Sequence, residues 1–412
     1  MNNTPIGNRI HISIFGKRNT GKSTLINTLT NQEIAVVSDV AGTTTDPVYK
    51  TMELLPIGPV VITDTAGLDD EGALGTLRMK KTYEILRRTD LAVIVISAPD
   101  GLTEFETDIV RELKDRNIKA IGVINKCDLA DVSSETVKNY SLKLGIPLAK
   151  ISCKTKEGIE DVKKLIVKNA SYDDSELSIV SDLINPGDIV VLVTPIDKAA
   201  PKGRLILPQQ QTIRDIIDSD AIAVVTKEYE LKETFLNLSK KPALVVTDSQ
   251  AFLKVTADTP PDIPMTSFSI LFARQKGDLV RMVRGLKKIE SLKDGARVLI
   301  VEGCTHHRQS DDIGKVKIPR WIRQITGRDI SFEWASGTFF PERIKDYDMI
   351  VHCGACMLNK REMQYRIREA EMQGVAITNY GLLIAYVLGI LRRALGPFPA
   401  ALLALDEAGM DE

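Results

Sequence analysis

An apolar segment, Ile10 to Phe15, runs without a break into GKRNTGKS, Gly16 to Ser23, and from there into TLINTLT. Strand, glycine-bearing turn and helix in that order are what a phosphate-binding P-loop requires, and such a loop predicts a parallel α/β sheet behind it. The glycines let successive backbone N–H groups turn inward around phosphate oxygens. Lys22 then reaches the outer phosphates and Ser23 offers its hydroxyl to magnesium. Gly16, Asn19, Thr20, Gly21, Lys22, Ser23 and Thr24 are therefore the first group of candidate nucleotide-binding residues.

Two further motifs fit the same site. VVITDTAG, Val60 to Gly67, places Asp64 at the end of a second apolar strand, where its carboxylate is expected to hold magnesium through water. Gly67 is expected to turn its N–H toward the terminal phosphate. Lys22, Asp64 and Gly67 form the candidate catalytic group. NKCD follows the apolar strand Ala120 to Ile124 and supplies Asn125, Lys126 and Asp128. An aspartate that accepts two hydrogen bonds from the guanine edge would face an acceptor if adenine entered, and a mismatch of that kind rejects an analogue by on the order of ten-thousand-fold. Asp128 thus selects GTP over ATP. Ser152, Cys153 and Lys154 follow the strand Leu148 to Ser152 and suit a loop closing over the base. Cys127 and Cys153 occupy variable positions of these motifs and read as packing residues, and His11, on the strand before the P-loop, reads as structural.

A chain of 412 residues is long enough for several cores. Residues 1–170 read as the nucleotide domain, and the polar stretch SYDDSELS that follows reads as a linker. Residues 180–262 carry strand patterns at Ile189 to Val193, Ala221 to Thr226 and Ala243 to Thr247. TIRDIIDS and ETFLNLSKK between them fit short helices, which gives a small parallel unit without Cys or His. PIDKAAPKGRLILPQ, Pro195 to Gln209, suits an ordered surface loop, expected to serve dimerisation or docking, with an active-site loop as the alternative. The predicted fold class is α/β: a P-loop GTPase domain followed by two smaller α/β domains with mostly parallel sheets.

Residues 263–412 hold three of the five cysteines and three of the four histidines, all between Cys304 and Cys356. Two buried strands are expected there, Gly295 to Gly303 ending in EGCTHHR and Tyr347 to His352 ending in CGACM. Ligands collect at the carboxyl ends of strands in a doubly wound sheet, so both cysteine groups are predicted to share one crevice. Cys353 and Cys356 can chelate one centre, with Cys304 as a third thiolate and His306 and His352 close by. His307 reads as a partner behind the ligands or as a solvent-facing neighbour. Structural zinc on three cysteines and a histidine, an iron-sulfur cubane with one exchangeable iron, a redox-active dithiol and plain packing all remain open on the residues alone.

Composition narrows the classes. The 54 basic and 55 acidic residues leave a net charge of -1, with no overall footprint for nucleic acid. The longest apolar run, Gly381 to Leu391, spans about 11 residues against the roughly 20 that a membrane helix needs, and reads as a buried helix. The amino-terminal MNNTPIGNRIHISIF has no basic stretch before an apolar core, so a cytoplasmic protein with no membrane partner is expected. An odd cysteine count argues against a disulfide framework.

DVAGTTTDPV, Asp39 to Val48, with NTGKS in the P-loop and DTAGL at the second switch, resembles the Era and tRNA-modification branch of small GTPases. The resemblance implies that Asn19 binds potassium beside the phosphates and that hydrolysis is potassium-stimulated. Leu68 stands where Ras-like enzymes place a water-orienting glutamine, so intrinsic turnover is expected to be slow. Among Thr43, Thr44 and Thr45, Thr44 is taken as the switch ligand of magnesium. With PIDKAAPKGRLILPQ, and with Cys304-Thr305-His306 followed by His352-Cys353-Gly354-Ala355-Cys356, nearly the whole chain resembles the HydF family of FeFe-hydrogenase maturation GTPases. That resemblance implies a 4Fe-4S cluster on Cys304, Cys353 and Cys356, with His306 or His352 as fourth ligand or behind the ligands, and a middle dimerisation domain. It also implies a scaffold or carrier role: the homodimer would receive material from the radical-SAM maturases HydE and HydG and deliver a diiron subcluster precursor to apo FeFe hydrogenase. The rival expectation is an RNA-linked GTPase of the Era or tRNA-modification type with structural zinc. It would need a basic segment with interleaved aromatics, and only 5% of these residues are aromatic.

Overall fold

The computed structural model describes residues 6–30, 48–65, 84–170, 178–195, 205–303, 312–337 and 339–409. The chain divides into two compact units, Met1–Tyr172 and Asp173–Glu412.

The first unit is built on a six-stranded sheet in the order β2-β3-β1-β4-β5-β6. β1 (Ile10–Phe15), β3 (Gly58–Asp64), β4 (Leu91–Ser97), β5 (Lys119–Asn125) and β6 (Leu148–Lys150) run parallel, and β2 (Val48–Leu54) closes one edge antiparallel. IHISIF and LAVIVIS are buried along their whole lengths in β1 and β4. A strand covered on both faces reads as an unbroken apolar run rather than an alternating one, which is why these segments pattern as they do. The polar residues inside β1 are satisfied: His11 Nε2–H donates to the Ile6 carbonyl at 2.9 Å, and Ser13 Oγ pairs with Thr89 Oγ1 at 2.8 Å. The helices Lys22–Thr30, Glu104–Asp115, Ser134–Leu144 and Ile159–Ala170 have local stop and start signals. The Thr103 N–H donates to the Glu106 carboxylate at 2.9 Å ahead of the second helix, and Gly145 ends the third at φ 64°.

The second unit contains two four-stranded parallel sheets. One has the order β10-β9-β7-β8, from β7 (Ile189–Val193), β8 (Ile222–Thr226), β9 (Leu244–Thr247) and β10 (Met265–Ser267). The other has the order β12-β11-β13-β14, from β11 (Arg297–Glu302), β12 (Ser331–Ser336), β13 (Met349–His352) and β14 (Ala376–Asn379). The topology is the same in both: the second strand lies on one side of the first, and the third and fourth lie on the other. A contiguous hydrophobic core joins them, running from Val190 and Val245 to Ile300 and Ile350. The segments expected as a middle and a third domain thus fall within one compact unit, and the middle sheet extends through Ser267.

Local chemistry moves some element ends. The helix expected at TIRDIIDS begins earlier and spans Leu207–Asp218, because Pro208 suits a first helical turn and Gln209 Oε1 accepts the Ile206 N–H at 3.1 Å. The run near Gly381 forms the buried helix Tyr380–Val387. Among the described residues no helix is long and apolar enough to cross a membrane.

Candidate functional site

At the carboxyl end of β1 the chain passes Gly16 and Asn19, whose φ of 64° is left-handed, before the helix begins at Lys22. Gly21, at φ 92°, packs so closely that a Cβ there would lie 2.3 Å from Asn125 Nδ2. The Lys22 ammonium is folded back onto the loop, donating to the carbonyls of Gly16 at 2.8 Å and Lys17 at 2.7 Å. Ser23 Oγ–H donates to Asp64 Oδ2 at 2.6 Å, so the two expected magnesium-holding groups meet between the first turn of the helix Lys22–Thr30 and the end of β3. Burial raises the Asp64 pKa above the ordinary carboxylate value, opposed by the Ser23 hydrogen bond and by the charges of Lys22 and Lys50. A hydroxyl and a partly desolvated carboxylate at this spacing suit a hard divalent cation. Thr24 stands exposed in the first helical turn. Gly67, Leu68 and Thr43 to Thr45 lie outside the described residues.

Asn125 is the joint of the nucleotide site. Its Nδ2–H donates to the Thr20 carbonyl at 2.9 Å, and its Oδ1 accepts the Cys153 N–H at 3.2 Å. One buried amide therefore ties the P-loop, the base-reading turn and the closing loop together. Lys126 follows at φ 66°, and Asp128 is aimed by Ser152, whose Oγ–H donates to Asp128 Oδ1 at 2.7 Å. Lys154 is exposed beside it. Cys153 is buried among apolar side chains, which pushes its thiol up to about 11, and Cys127 is shifted the same way by burial. Inert packing explains both.

The second cluster sits where winding in the last sheet reverses, between β11 and β13, the crevice in which doubly wound sheets hold ligands. Val301 is in register with His352, so the chain leaves both strands side by side. Cys353 Sγ accepts the Gly303 N–H at 3.0 Å and the Ala355 N–H at 3.4 Å. Gly303 is the residue before Cys304. Cys304, His306 and His307 lie outside the described residues, and among the described residues no group of three metal-ligating side chains assembles. What is described fits a thiolate-bound cluster: paired thiols on a tight CxxC loop, backbone N–H groups aimed at sulfur, and a third cysteine one residue from such a donor. Burial pushes the Cys353 thiol up to about 11, opposed by the N–H groups of Gly303 and Ala355, and a bound cation would favour the thiolate.

His352 is fully buried and both ring nitrogens are engaged. Nδ1–H donates to the Cys353 carbonyl at 2.9 Å, and Nε2 accepts from Arg366 Nη1 at 3.1 Å. Burial first, and then the Arg366 charge, lower its pKa to about 3. With both ring nitrogens engaged, the arrangement suits the expectation of His352 as a support behind the cysteine loop better than that of a direct ligand. Arg366 in turn donates to Glu362 Oε1 at 2.9 Å and to the Gly337 carbonyl at 3.1 Å.

Two family models match the second unit. The Hydrogen maturase F dimerization domain matches residues 179–277 and the Hydrogen maturase F tetramerization domain matches residues 280–397. Together they take up more than half of the chain. The chain belongs to the hydrogen maturase F family. Ahead of these segments, the 50S ribosome-binding GTPase model matches residues 11–126, and the Elongation factor Tu GTP binding domain model matches residues 79–227. The curated relatives match at the GTPase level. The tRNA modification GTPase MnmE of Endomicrobium trichonymphae is 37% identical over 172 residues, 40% of this chain and 37% of that protein. GTPase Der of Streptococcus pneumoniae is 31% identical over 227 residues, 54% of this chain and 52% of that protein. The chain thus spans about a third to a half of the length of these relatives. Among solved structures, Era of Aquifex aeolicus bound to GDP and AlF4 aligns at 19% identity with a TM-score of 0.36, covering 52% of this chain and 91% of that one.

For this maturase F chain, sequence reasoning missed the buried groups beneath the cysteine loop: Lys276, Arg366, Glu362, and Asn379, whose Nδ2 lies 3.5 Å from the Cys353 carbonyl. Lys276 precedes Cys356 by 80 positions and ends a helix, where a lysine ordinarily reads as a solvated dipole partner. The helix Lys360–Met372 carries Glu362 and Arg366 four apart, which reads as a surface ion pair.

Proposed function

We propose that this chain is a GTP-hydrolysing scaffold that assembles a diiron subcluster precursor and delivers it to apo FeFe hydrogenase. The observation that carries the reading is the Gly303 N–H to Cys353 Sγ hydrogen bond at the switch point of the last sheet, inside the segment matched by a maturase F model. It supports a site formed by Cys304, Cys353 and Cys356. A resident 4Fe-4S cluster there would supply an anchoring iron-sulfur face with an exchangeable position. The chain's own contribution is to hold two sulfurs on one rigid loop, aim N–H dipoles at Cys353, and keep His352 neutral behind it.

In the first unit, GTP and magnesium are held by the P-loop amides, Lys22, Ser23 and Asp64, and guanine is read by Asp128. Asn19 is the proposed potassium ligand, and Lys22 and Asp64 act with Gly67 in turnover. A monovalent cation beside the phosphates neutralises developing charge as an arginine finger does, which suits a switch with leucine in place of the glutamine. The cycle is proposed to control partner exchange: the switches order around the terminal phosphate and relax after hydrolysis. The working form is a homodimer, with the radical-SAM maturases HydE and HydG as donors.

The test is transfer. The chain, loaded in the presence of both maturases, is mixed with apo hydrogenase and hydrogen evolution is followed. The reading expects activation by the wild-type chain and none by a variant with Cys304, Cys353 and Cys356 all changed to alanine. Equal activation by both would sink it. Equal affinity for partners with GTP, GDP and no nucleotide would remove the proposed role of the switch while leaving the carrier role.

A further inference from the structure

Beneath the CGAC loop lies a buried ammonium that nothing above uses. Lys276 ends the helix Phe268–Lys276, is 4% exposed, and points its Nζ into the underside of the loop. It donates to the carbonyls of Cys356 at 3.0 Å, Leu358 at 2.8 Å and Ala355 at 3.3 Å. The turn it grips is strained in the way a clamp would explain, since Ala355 sits at φ 54° without being glycine. The same helix approaches the loop again two turns earlier on the same face, at Ser269. Ser269 Oγ–H donates to Asn379 Oδ1 at 3.0 Å, a Cβ on Gly354 would lie 3.6 Å from Ser269 Oγ, and one on Gly381 would meet the Ser269 Cβ at 2.8 Å. The cysteine loop is therefore seated against a helix that follows β10 of the other sheet, within the segment matched by the dimerization model.

We propose that Lys276 is a positioning residue for the cysteine site: it fixes the carbonyls of the CGAC loop from below and supplies the positive charge that an anionic, thiolate-bound cluster needs in a desolvated crevice. A buried cation is tolerated where an anion faces it, and the thiols of Cys356 and Cys353 act on Lys276. A positive charge fixed beside a cluster favours the reduced, more negative state, so removing it lowers the midpoint potential. The charge half of the inference rests on the proposed function; the clamp half does not.

The experiment compares wild type, Lys276→Met and Lys276→Arg in the full chain by two readouts. In metal-free protein, amide hydrogen exchange of the peptide spanning Cys353 to Leu358 is expected to speed up on the order of tenfold in Lys276→Met, with β11 amides unchanged as the sign of an intact fold. In iron- and sulfide-reconstituted protein, the midpoint potential of the Lys276→Met cluster is expected to fall and that of Lys276→Arg to stay near wild type. Unchanged exchange across Cys353 to Leu358 would overturn the clamp and leave the proposed function standing. Unchanged potential in Lys276→Met would overturn the charge role. A wild-type chain that takes up no iron would overturn the charge role and the proposed function together, while the exchange readout would still decide the clamp.

Discussion

At the scale of single residues, the nucleotide site depends on contacts that sequence motifs name but do not explain. Asn125 stands in the base-reading motif, yet its amide is spent on the P-loop and the closing loop rather than displayed to solvent. Asn125→Ala would leave the Thr20 carbonyl and the Cys153 N–H without this partner. The expected result is a loss of about 1–3 kcal/mol in the unfolding free energy of the first unit, and a weakening of GTP binding on the order of tenfold or more, read by denaturant melts and nucleotide titration. Gly21→Ala is expected to be more damaging to binding than to folding, because its Cβ falls on the same amide and φ is left-handed. His11 gives a pH prediction. Burial lowers its pKa below 6.5, so between that folded value and 6.5 the unfolded chain binds the proton and the folded chain does not. Stability from this group is present above the unfolded pKa and is lost as pH falls through the window. His11→Gln is expected to show a flatter decline below pH 6.5 in urea melts. An equally steep decline in the variant would assign the acid sensitivity elsewhere.

At the scale of elements, legibility in the sequence follows burial. β1, β3, β5, β7, β11 and β13 declare themselves as apolar runs because both their faces are covered, and their carboxyl ends locate the motifs. β12, SFEWAS, is a half-exposed edge and shows no such run. The cysteine loop was readable as a ligand group, but its seat was not: Lys276 and Ser269 come from a helix about 80 residues earlier, and Glu362 and Arg366, on the helix that follows the loop, read as a surface pair until packing buries them. The fully buried Arg366–Glu362 pair allows a test at this scale. Arg366→Met removes the ion-pair partner of the Glu362 carboxylate and the donor to His352, with an expected cost of about 3–5 kcal/mol in the second unit. Arg366→Met combined with Glu362→Met should recover most of that loss, since burying neither charge is cheaper than burying one. Equal destabilisation by the single and the double variant would show that packing, not the lost ion pair, dominates.

At the scale of the whole molecule, the first unit gathers the P-loop, the Ser23–Asp64 pair and the Asn125 and Asp128 contacts at the carboxyl ends of its strands, and the second places Cys353 at the reversal of a doubly wound sheet. The same winding order recurs in the sheet before it, so one architecture serves twice in the second unit with cysteines on only one of the two. Because Asp64 has a raised pKa, protonation competes with magnesium at a higher pH than for an ordinary aspartate. GTP affinity in the presence of magnesium is therefore expected to decline on acidification sooner than affinity measured without magnesium; parallel declines would remove Asp64 as the cause. The second unit is proposed to hold an iron-sulfur cluster on Cys304, Cys353 and Cys356. Anaerobic reconstitution with iron and sulfide, followed by metal analysis and EPR of the reduced protein, tests it beside the triple alanine variant. About four irons per chain are expected, as a three-cysteine cubane requires, with a reduced-cluster signal absent from the variant. One zinc per chain with no bound iron would contradict it.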